Sequence, residues 1–345
     1  MRSSKFNLLI QKITNKFFSV VLTFICIVFF NFNSKAQVNL IYDTEFGNDI
    51  DKLGALLLIN NFIDSNECNL LGVVCSSSSK SSLHSLHLVN SFCNHNNIPI
   101  VESRCQEKSA TSNFADIIAV DNSISFTDNF FNNSTIMYRK LLASAQDKSV
   151  TIIVSANLSS LDALLKSPGD KNSPLTGFQL VRKKVNEVII VGGIFPSGFG
   201  NWHVYDSQYS FIAKVIKKLS IVNVTYIGYE LGKSLQSGTI VNSFNKDNYI
   251  YECYNHFSKY SLWTKQRYMG EILNTNSSDQ IAVLYAVRNY IGSFWRRKDG
   301  KCLVNNDGTN KWKPSTKSNQ SYLELFTDPE NIVNEINNEL LKYNK

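Results

Sequence analysis

Short runs of apolar residues alternate along the chain with longer segments of helical spacing. Five apolar runs are predicted to be buried β-strands, at residues 38–42, 70–75, 150–154, 187–191 and 222–227. The segments that follow the first three of these runs place apolar side chains three or four residues apart, as on one face of a helix. Strands and helices that alternate at this pitch predict right-handed crossovers and a mostly parallel central sheet flanked by helices. The predicted fold class is therefore α/β.

One domain is predicted for residues 37–345, because no Pro, Gly or Ser linker divides them and a chain of this length can bury one large core. Near the end of the chain, a turn sequence with Gly308 separates two short apolar segments and predicts a β-hairpin. In parallel sheets, ligands bind beyond the carboxyl ends of the strands. We therefore expect the chemistry in the loops that follow four of the strands, after Tyr42, Cys75, Val154 and Val191.

The first 36 residues have the charge layout of a signal peptide. Residues 1–16 carry Lys and Arg without an acidic residue, and an apolar run follows at residues 17–30. This run is shorter than the roughly 20 residues that a membrane-spanning helix needs. We expect cleavage after Ala36 and export of residues 37–345 to the periplasm or to the outside of the cell. An uncleaved N-terminal anchor is the alternative.

Cleavage would change the charge balance of the chain. The net charge of +7 depends largely on the first 36 residues, and the remainder carries 30 basic and 28 acidic residues. A nearly neutral domain lacks the basic stripe that nucleic acids require, so we expect a small-molecule partner, no nucleic acid and no membrane span after cleavage. The cysteines show no metal-binding spacing, and Cys75 is expected to be a buried thiol. The sequence leaves open whether a disulfide or a homo-oligomer forms.

Four carboxylates crowd into nine residues directly after the first strand, at Asp43, Glu45, Asp49 and Asp51. Oxygen ligands gathered on one loop suit Ca²⁺ or Mg²⁺, and Gly47 allows the tight turn that would aim them at one point. The alternative is a solvated acidic turn in which Asp51 caps the next helix. The loop has neither EF-hand spacing nor the Gly-rich spacing of a phosphate-binding loop.

This loop resembles the first-strand motif of the inosine-uridine preferring nucleoside hydrolase family. The family reads DTD, G, DD and AL in order, and this chain has DTE at residues 43–45, Gly47, DK at residues 51–52 and AL at residues 55–56. Six further segments follow in the family's order, at residues 70–74, 97–100, 151–161, 191–193, 228–232 and 278–285. The resemblance covers nearly all of residues 37–345 and implies the nucleoside hydrolase fold.

The resemblance also implies an activity and its residues. Members of the family hydrolyse the N-glycosidic bond of a nucleoside with a water held by Ca²⁺ and activated by a carboxylate. Carried over by position, the metal ligands are Asp43, Asp51, Asp279 and the carbonyl of Ser159. The catalytic candidates are Glu45 or Asp49 as the base that activates water and His203 as the acid. The candidates for binding substrate are Ser79, Asn201, Trp202, His203 and Glu230.

The chain departs from the family at several of these positions. Lys52 replaces a bidentate carboxylate, and an ammonium repels a cation instead of ligating it. Either its ammonium neutralises the carboxylates in place of Ca²⁺, or it points outward while Asp49 supplies the lost ligand. Three further positions differ from the family: Glu45 replaces an aspartate, Asn201 replaces a carboxylate and Ser278 replaces a His or Trp.

Aromatic residues add candidates for the wall of a pocket. A nucleobase can stack on Trp202, Tyr260, Trp263 or Tyr268. Helical spacing of Tyr260, Trp263 and Arg267 predicts that one helix presents these three side chains together. Packing in the core is the other role open to each aromatic residue.

Two functions are consistent with this sequence. The first is an exported N-glycosyl hydrolase of altered specificity, favoured because Asp43, Asp51 and Asp279 are retained in separate segments. The second is an exported binding protein that has lost catalysis, favoured by the substitutions at positions 45, 52, 201 and 278. A surface interaction protein, a third class, would need an exposed apolar patch or an added module. We favour the hydrolase unless Lys52 is bonded inside the acidic cluster.

Overall fold

A computed structural model of the chain describes residues 37–77, 79–103, 114–119, 130–131, 133–200, 202–203 and 209–344. The predicted signal segment and Asn201 lie outside these described residues. From Val38 onward the chain forms one unit. Within the described ranges, no helix has the length and apolar character needed to cross a membrane.

The strands follow one another along the whole of the described chain. They are β1 (Val38–Thr44), β2 (Cys68–Cys75), β3 (Ile100–Glu102), β4 (Phe130–Phe131), β5 (Val150–Ser155), β6 (Val185–Val191), β7 (Ser197–Phe199), β8 (Asn223–Ile227), β9 (Gln236–Ser237), β10 (Thr275–Asn276), β11 (Trp295–Val304), β12 (Thr309–Pro314) and β13 (Gln320–Leu325). All five strands predicted from apolar runs are present, as β1, β2, β5, β6 and β8.

The helices lie between the strands, as the alternating pattern predicts. They are α1 (Ile50–Asp64), α2 (Lys80–Phe92), α3 (Ala115–Ile118), α4 (Ser134–Ser144), α5 (Ser159–Lys166), α6 (Gly177–Lys184), α7 (Tyr209–Lys218), α8 (Tyr229–Ser234), α9 (Tyr249–Tyr260), α10 (Ser278–Arg288) and α11 (Pro329–Leu341). The three predicted helical segments correspond to α1, α2 and α5.

Eleven of the described strands form one sheet in the order β4-β3-β2-β1-β5-β6-β8-β13-β11-β12-β7. The strands from β4 to β13 in this order pair in parallel. The last three additions, β11, β12 and β7, pair antiparallel at one side of the sheet. The predicted C-terminal hairpin is confirmed as β11 and β12, and Gly308 in its turn has a φ of 85°. The α/β fold class is therefore confirmed.

The core lies in two layers, one on each face of the sheet. Side chains of a strand point alternately to opposite faces, and in β1 Leu40 and Tyr42 join one layer while Ile41 joins the other. Helices α1, α2, α9, α10 and α11 cover the first layer, and α4, α5, α6 and α7 cover the second. Cys75 is a buried free thiol in β2, as predicted.

Helix α1 is buried around its whole circumference. Every residue from Ile50 to Phe62 in this helix is buried, including Asp51 and Lys52. A Cβ atom at Gly54 would lie 2.3 Å from Nε2 of Gln280 in α10, so the glycine permits a close approach of α1 and α10. The first turns of these two helices therefore meet beside the carboxyl end of β1.

The neighbours of β1 position the site. Strand β1 pairs with β2 on one side and with β5 on the other, so the order of strands reverses there. In parallel sheets such a reversal opens a crevice beyond the carboxyl ends of the strands. The acidic loop that follows β1 lies at this crevice, where its carboxylates can meet side chains from β5 and α10.

Candidate ligand-binding site

Lys52 lies inside the acidic cluster. Its Nζ donates hydrogen bonds to Oγ of Ser155 at 2.9 Å and to Oδ2 of Asp279 at 3.3 Å. The Lys52 side chain is 4% exposed and that of Asp279 is 1% exposed, so the ion pair is buried. Tyr42 donates its hydroxyl to Oδ1 of Asp279 at 3.0 Å, which occupies the second oxygen of that carboxylate. Of the two orientations considered for Lys52, the structure therefore has the inward one.

Asp51 completes the group around this ion pair. The backbone N–H of Asp279 donates to Oδ2 of Asp51 at 3.4 Å. Among the side chains of the described part of the chain, Oδ1 of Asp51 is buried without a hydrogen-bond partner. Burial and the neighbouring Asp279 raise the pKa of Asp51 well above its ordinary value. Burial and this neighbour therefore both favour the neutral form of Asp51.

The charges of Lys52 and Asp279 support each other. Burial alone lowers the pKa of Lys52, but the carboxylates of Asp279, Asp51 and Asp49 outweigh burial and raise this pKa above its ordinary value. Burial alone raises the pKa of Asp279, but the Lys52 ammonium holds it below its ordinary value. The centre of the cluster is thus the ion pair of the Lys52 ammonium and the Asp279 carboxylate, with Asp51 beside it.

Asp43 makes a different set of contacts. Ser76 donates its hydroxyl to Oδ1 of Asp43 at 2.6 Å, and Tyr138 donates its hydroxyl to Oδ2 at 2.9 Å. Both oxygens of this carboxylate therefore accept hydrogen bonds, one from the loop after β2 and one from α4. Burial raises the pKa of Asp43 to about 7, because the surrounding core disfavours the charged form.

These residues do not fit a divalent cation of the kind that the resemblance implies. Calcium takes about six to eight oxygen ligands, and here a buried ammonium already contacts the central carboxylate. Across the described ranges, no three His, Cys, Asp or Glu side chains form a group that could hold a metal ion. Ser159, expected to supply a carbonyl ligand, lines a separate cavity together with Glu102 and Ser103.

Glu45 and His203 form a second pair beside the cluster. Nδ1 of His203 lies 3.4 Å from Oε2 of Glu45, and the backbone N–H of Asn157 donates to Oε1 of Glu45 at 3.4 Å. His203 has a φ of 55°, in the left-handed region that side chains other than glycine seldom adopt. Its Nε2 is buried and has no hydrogen-bond partner among the described residues.

A cavity of about 300 Å³ opens above the buried ion pair. Asp51, Lys52, Asp279 and His203 line its inner part. Its wall combines aromatic and basic side chains, namely Tyr229, Phe257, Trp263, Lys233 and Arg267. Side-chain amides and hydroxyls complete the lining, from Gln236, Asn274, Thr275, Asn276 and Ser278 among others. The volume is at the lower end of the range of about 300 to 1,000 Å³ for small-molecule sites.

The residues expected to bind substrate lie in different places. Trp202 is 3% exposed and donates its indole N–H to the carbonyl of Gly308 at 3.1 Å, so it packs in the core. Glu230 in α8 accepts a hydrogen bond from the backbone N–H of Phe195 at 3.0 Å. Ser79 precedes α2 and is not part of the cavity lining found among the described residues. Asn201 lies outside the described residues.

The aromatic residues expected at the pocket wall divide in the same way. Trp263 and Arg267 line the cavity, and Tyr260 and Tyr268 are absent from its described lining. The helix that the spacing predicts through Trp263 and Arg267 is wrong, because α9 ends at Tyr260 and turns follow it. Tyr268 donates its hydroxyl to the side chain of Asn255 at 2.7 Å.

Several residues of the site escaped the sequence analysis. Ser155 ends β5 beside the crevice, and its position at a strand end is a signal that could have identified it. Tyr138 comes from α4, 95 residues away from Asp43, and no pattern in the sequence joins the two. Lys233 lies in the last turn of the short helix α8, and its place in the cavity wall depends on how that helix packs.

Comparison with known proteins identifies the fold. No protein-family model matches the sequence, and no curated protein matches it either. Solved structures do match. A plant nucleoside hydrolase, PpNRh1, has a TM-score of 0.64 at 15% identity, with 88% of this chain and 98% of that chain covered.

Two further solved structures show the same likeness. The purine-preferring ribonucleoside hydrolase from Gardnerella vaginalis has a TM-score of 0.64 at 12% identity, covering 89% of this chain and 99% of that chain. The type III effector protein XopQ, complexed with adenosine diphosphate ribose, has a TM-score of 0.63 at 11% identity, covering 90% and 95%. This chain therefore has the nucleoside hydrolase fold, and the inosine-uridine preference stays a prediction.

Proposed function

We propose that this chain binds a nucleoside or related ribosyl compound in the cavity above Lys52, without a divalent cation and without cleaving the ligand. The observation that carries the proposal is the buried ion pair of Lys52 and Asp279 at 3.3 Å. An ammonium there supplies the positive charge that the carboxylates need, and it repels a second cation. The sequence-based preference for a hydrolase depended on room for a cation, so the position of Lys52 favours the binding protein instead.

The class of ligand follows from the cavity and from the fold. Trp263 and Tyr229 line the cavity and are 63% and 42% exposed. A nucleobase can stack on exposed aromatic faces of this kind. Amide and hydroxyl groups in the same wall can bond to the hydroxyls of a ribose. A neighbour of the same fold is complexed with adenosine diphosphate ribose. We further propose that the protein is exported, on the sequence of residues 1–36 alone.

Calorimetry with a panel of nucleosides tests the proposal. Adenosine, guanosine, inosine, cytidine and uridine are titrated into the protein, once with excess EDTA and once with calcium. We expect at least one to bind with the same dissociation constant in both buffers and to be recovered intact. Binding that requires calcium, or release of free base, would contradict the proposal.

A pair of neighbouring variants ties the binding to this cavity. Trp263→Ala removes an exposed ring from the cavity wall, and we expect about tenfold weaker binding from the loss of stacking. Leu262→Ala is the control, because Leu262 is 60% exposed and does not line the cavity. Equal affinities of the two variants would place the ligand elsewhere.

A second candidate function is a hydrolase that works without a metal. It is favoured by the pairing of Glu45 and His203, whose atoms lie 3.4 Å apart beside the cavity. In this alternative Glu45 activates a water and His203 protonates the departing base. Release of free base in excess EDTA, abolished in Glu45→Gln, would establish the alternative and overturn the binding-only proposal.

A further inference from the structure

The cavity wall carries two basic side chains at its exposed end. Lys233 lies in the last turn of α8, and Arg267 lies in the segment between α9 and β10. Both residues are exposed, whereas Asp51, Lys52 and Asp279 at the inner end are 3% exposed or less. The cavity therefore has a buried ion pair at its inner end and two basic side chains at its mouth.

Carboxylates of the described chain do not neutralise these two cations. Other basic residues of the described chain, such as Arg139 and Arg288, bind carboxylates from neighbouring elements. Within the same described ranges, neither Lys233 nor Arg267 makes an ion pair or a side-chain hydrogen bond. Two unpaired cations from separate elements at the mouth of one cavity attract an anionic group.

The exposed aromatic side chains indicate which kind of anion the cavity binds. Trp263 lies four residues before Arg267 on the same segment, is 63% exposed and lines the cavity. An anion bound alone would gain nothing from such a ring, whereas a base linked to an anion can stack on it. The ammonium of Lys52 at the inner end is already paired with Asp279, so the cations left to attract a phosphate are those at the mouth.

We propose that the ligand is a phosphorylated ribosyl compound of the nucleotide class, with its phosphate bound between Lys233 and Arg267 at the mouth of the cavity. This inference rests on the proposed function, since it assumes that a ribosyl ligand occupies the cavity. The guanidinium of arginine and the ammonium of lysine both bind phosphate, and the guanidinium can donate two parallel hydrogen bonds to it. The ribose lies toward Lys52, and the base lies on Trp263.

The experiment compares each nucleoside with its 5′-monophosphate by calorimetry in excess EDTA. Inorganic phosphate alone is a third probe, because it distinguishes a nucleotide site from a simple anion site. We expect at least one monophosphate to bind about tenfold tighter than its nucleoside, with the preference declining as salt is added. Phosphate alone should bind far more weakly than that monophosphate.

Two double variants assign the preference to the cavity mouth. Lys233→Gln with Arg267→Gln should abolish the preference, so that the monophosphate and its nucleoside bind to this variant with equal affinity. Lys171→Gln with Arg182→Gln is the matched control, since both residues are exposed and neither lines the cavity. This control should retain the full preference.

The possible failures separate the two proposals. Nucleosides that bind as tightly as their monophosphates would overturn the nucleotide inference and leave the proposed function standing. Phosphate that binds as tightly as the monophosphates would also overturn it, because the site would then recognise an anion only. If no nucleoside and no monophosphate binds, the nucleotide inference and the proposed function both fail.

Discussion

Replacing Lys52 with methionine removes one buried charge and keeps a side chain of similar length. In the protein, Nζ of Lys52 lies 3.3 Å from Oδ2 of Asp279 and 2.9 Å from Oγ of Ser155. Methionine satisfies neither contact, so the variant leaves a carboxylate of 1% exposure without its counter-charge. We therefore expect Lys52→Met to lower the free energy of unfolding strongly.

The size of the loss follows from the distance and the burial. At 3.3 Å and an effective dielectric constant of about 20, the attraction of two unit charges is about 5 kcal/mol. Removing one partner of a buried ion pair typically costs about 3–5 kcal/mol, because the remaining charge is left desolvated. We expect a loss of this order at pH 7, a large fraction of the roughly 5–15 kcal/mol that stabilises a typical domain.

Urea denaturation of four proteins measures this loss and its origin. Alongside the wild type and Lys52→Met, the double variant Lys52→Met with Asp279→Asn removes the orphaned charge, so it should be more stable than Lys52→Met alone. Lys171→Met is the control for an exposed lysine and should change stability by less than about 0.5 kcal/mol. A loss in Lys52→Met as small as in this control would refute the buried ion pair.

Two further variants test contacts outside the site. Arg139→Met should lower the free energy of unfolding by about 3 kcal/mol, because the buried guanidinium donates to the carbonyls of Ser173 and Leu175, each at 2.9 Å. Urea denaturation measures this loss, and a variant as stable as the wild type would contradict it. Arg288→Met should destabilise the protein at pH 7 and much less in acid. Hydrogen bonds from Arg288 hold the pKa of Glu67 in the folded protein below its ordinary value. The stability that they contribute is therefore fully present above the pKa of Glu67 in the unfolded chain. It is lost as the pH falls through the pKa of Glu67 in the folded protein. Unfolding midpoints across pH 3 to 7 check this, and a loss independent of pH would contradict it.

Most of the fold was predictable because the central strands are continuous apolar runs. Residues buried on both faces of a parallel sheet must be apolar, so β1, β2, β5, β6 and β8 stand out from the segments between them. The antiparallel edge was harder to predict. Strand β11 has exposed residues at five of its ten positions, and the pattern there indicated only the hairpin turn.

The site was predictable in part. The apolar positions of α1 are nearly continuous, so the helix is buried all round and Lys52 has no exposed helix face along which to point outward. That argument could have decided between the two orientations left open for this lysine. The carboxylate of Asp43, by contrast, accepts its hydrogen bonds from Ser76 and Tyr138. Such contacts between distant segments follow from the packed structure, and no local pattern encodes them.

The predicted role of Trp202 shows the same limit. Its sequence position matches a ribose-binding stretch of the family, yet its ring packs in the core with Tyr226. Trp263 was a weaker candidate from sequence and is the one exposed at the cavity. An aromatic residue in a loop can point inward or outward, and only the packing of its neighbours decides which.

Titration of calcium into the purified protein, followed by calorimetry, tests most directly whether Lys52 has replaced the metal. Lys52→Asp, prepared in the same way, restores a carboxylate at the position where the resemblance implies one. We predict no binding by the wild type at millimolar calcium, and binding of one ion by the variant. Calcium binding by the wild type at micromolar concentration would contradict the account, whether or not the variant folds, because the ammonium of Lys52 would then share its carboxylates with a metal.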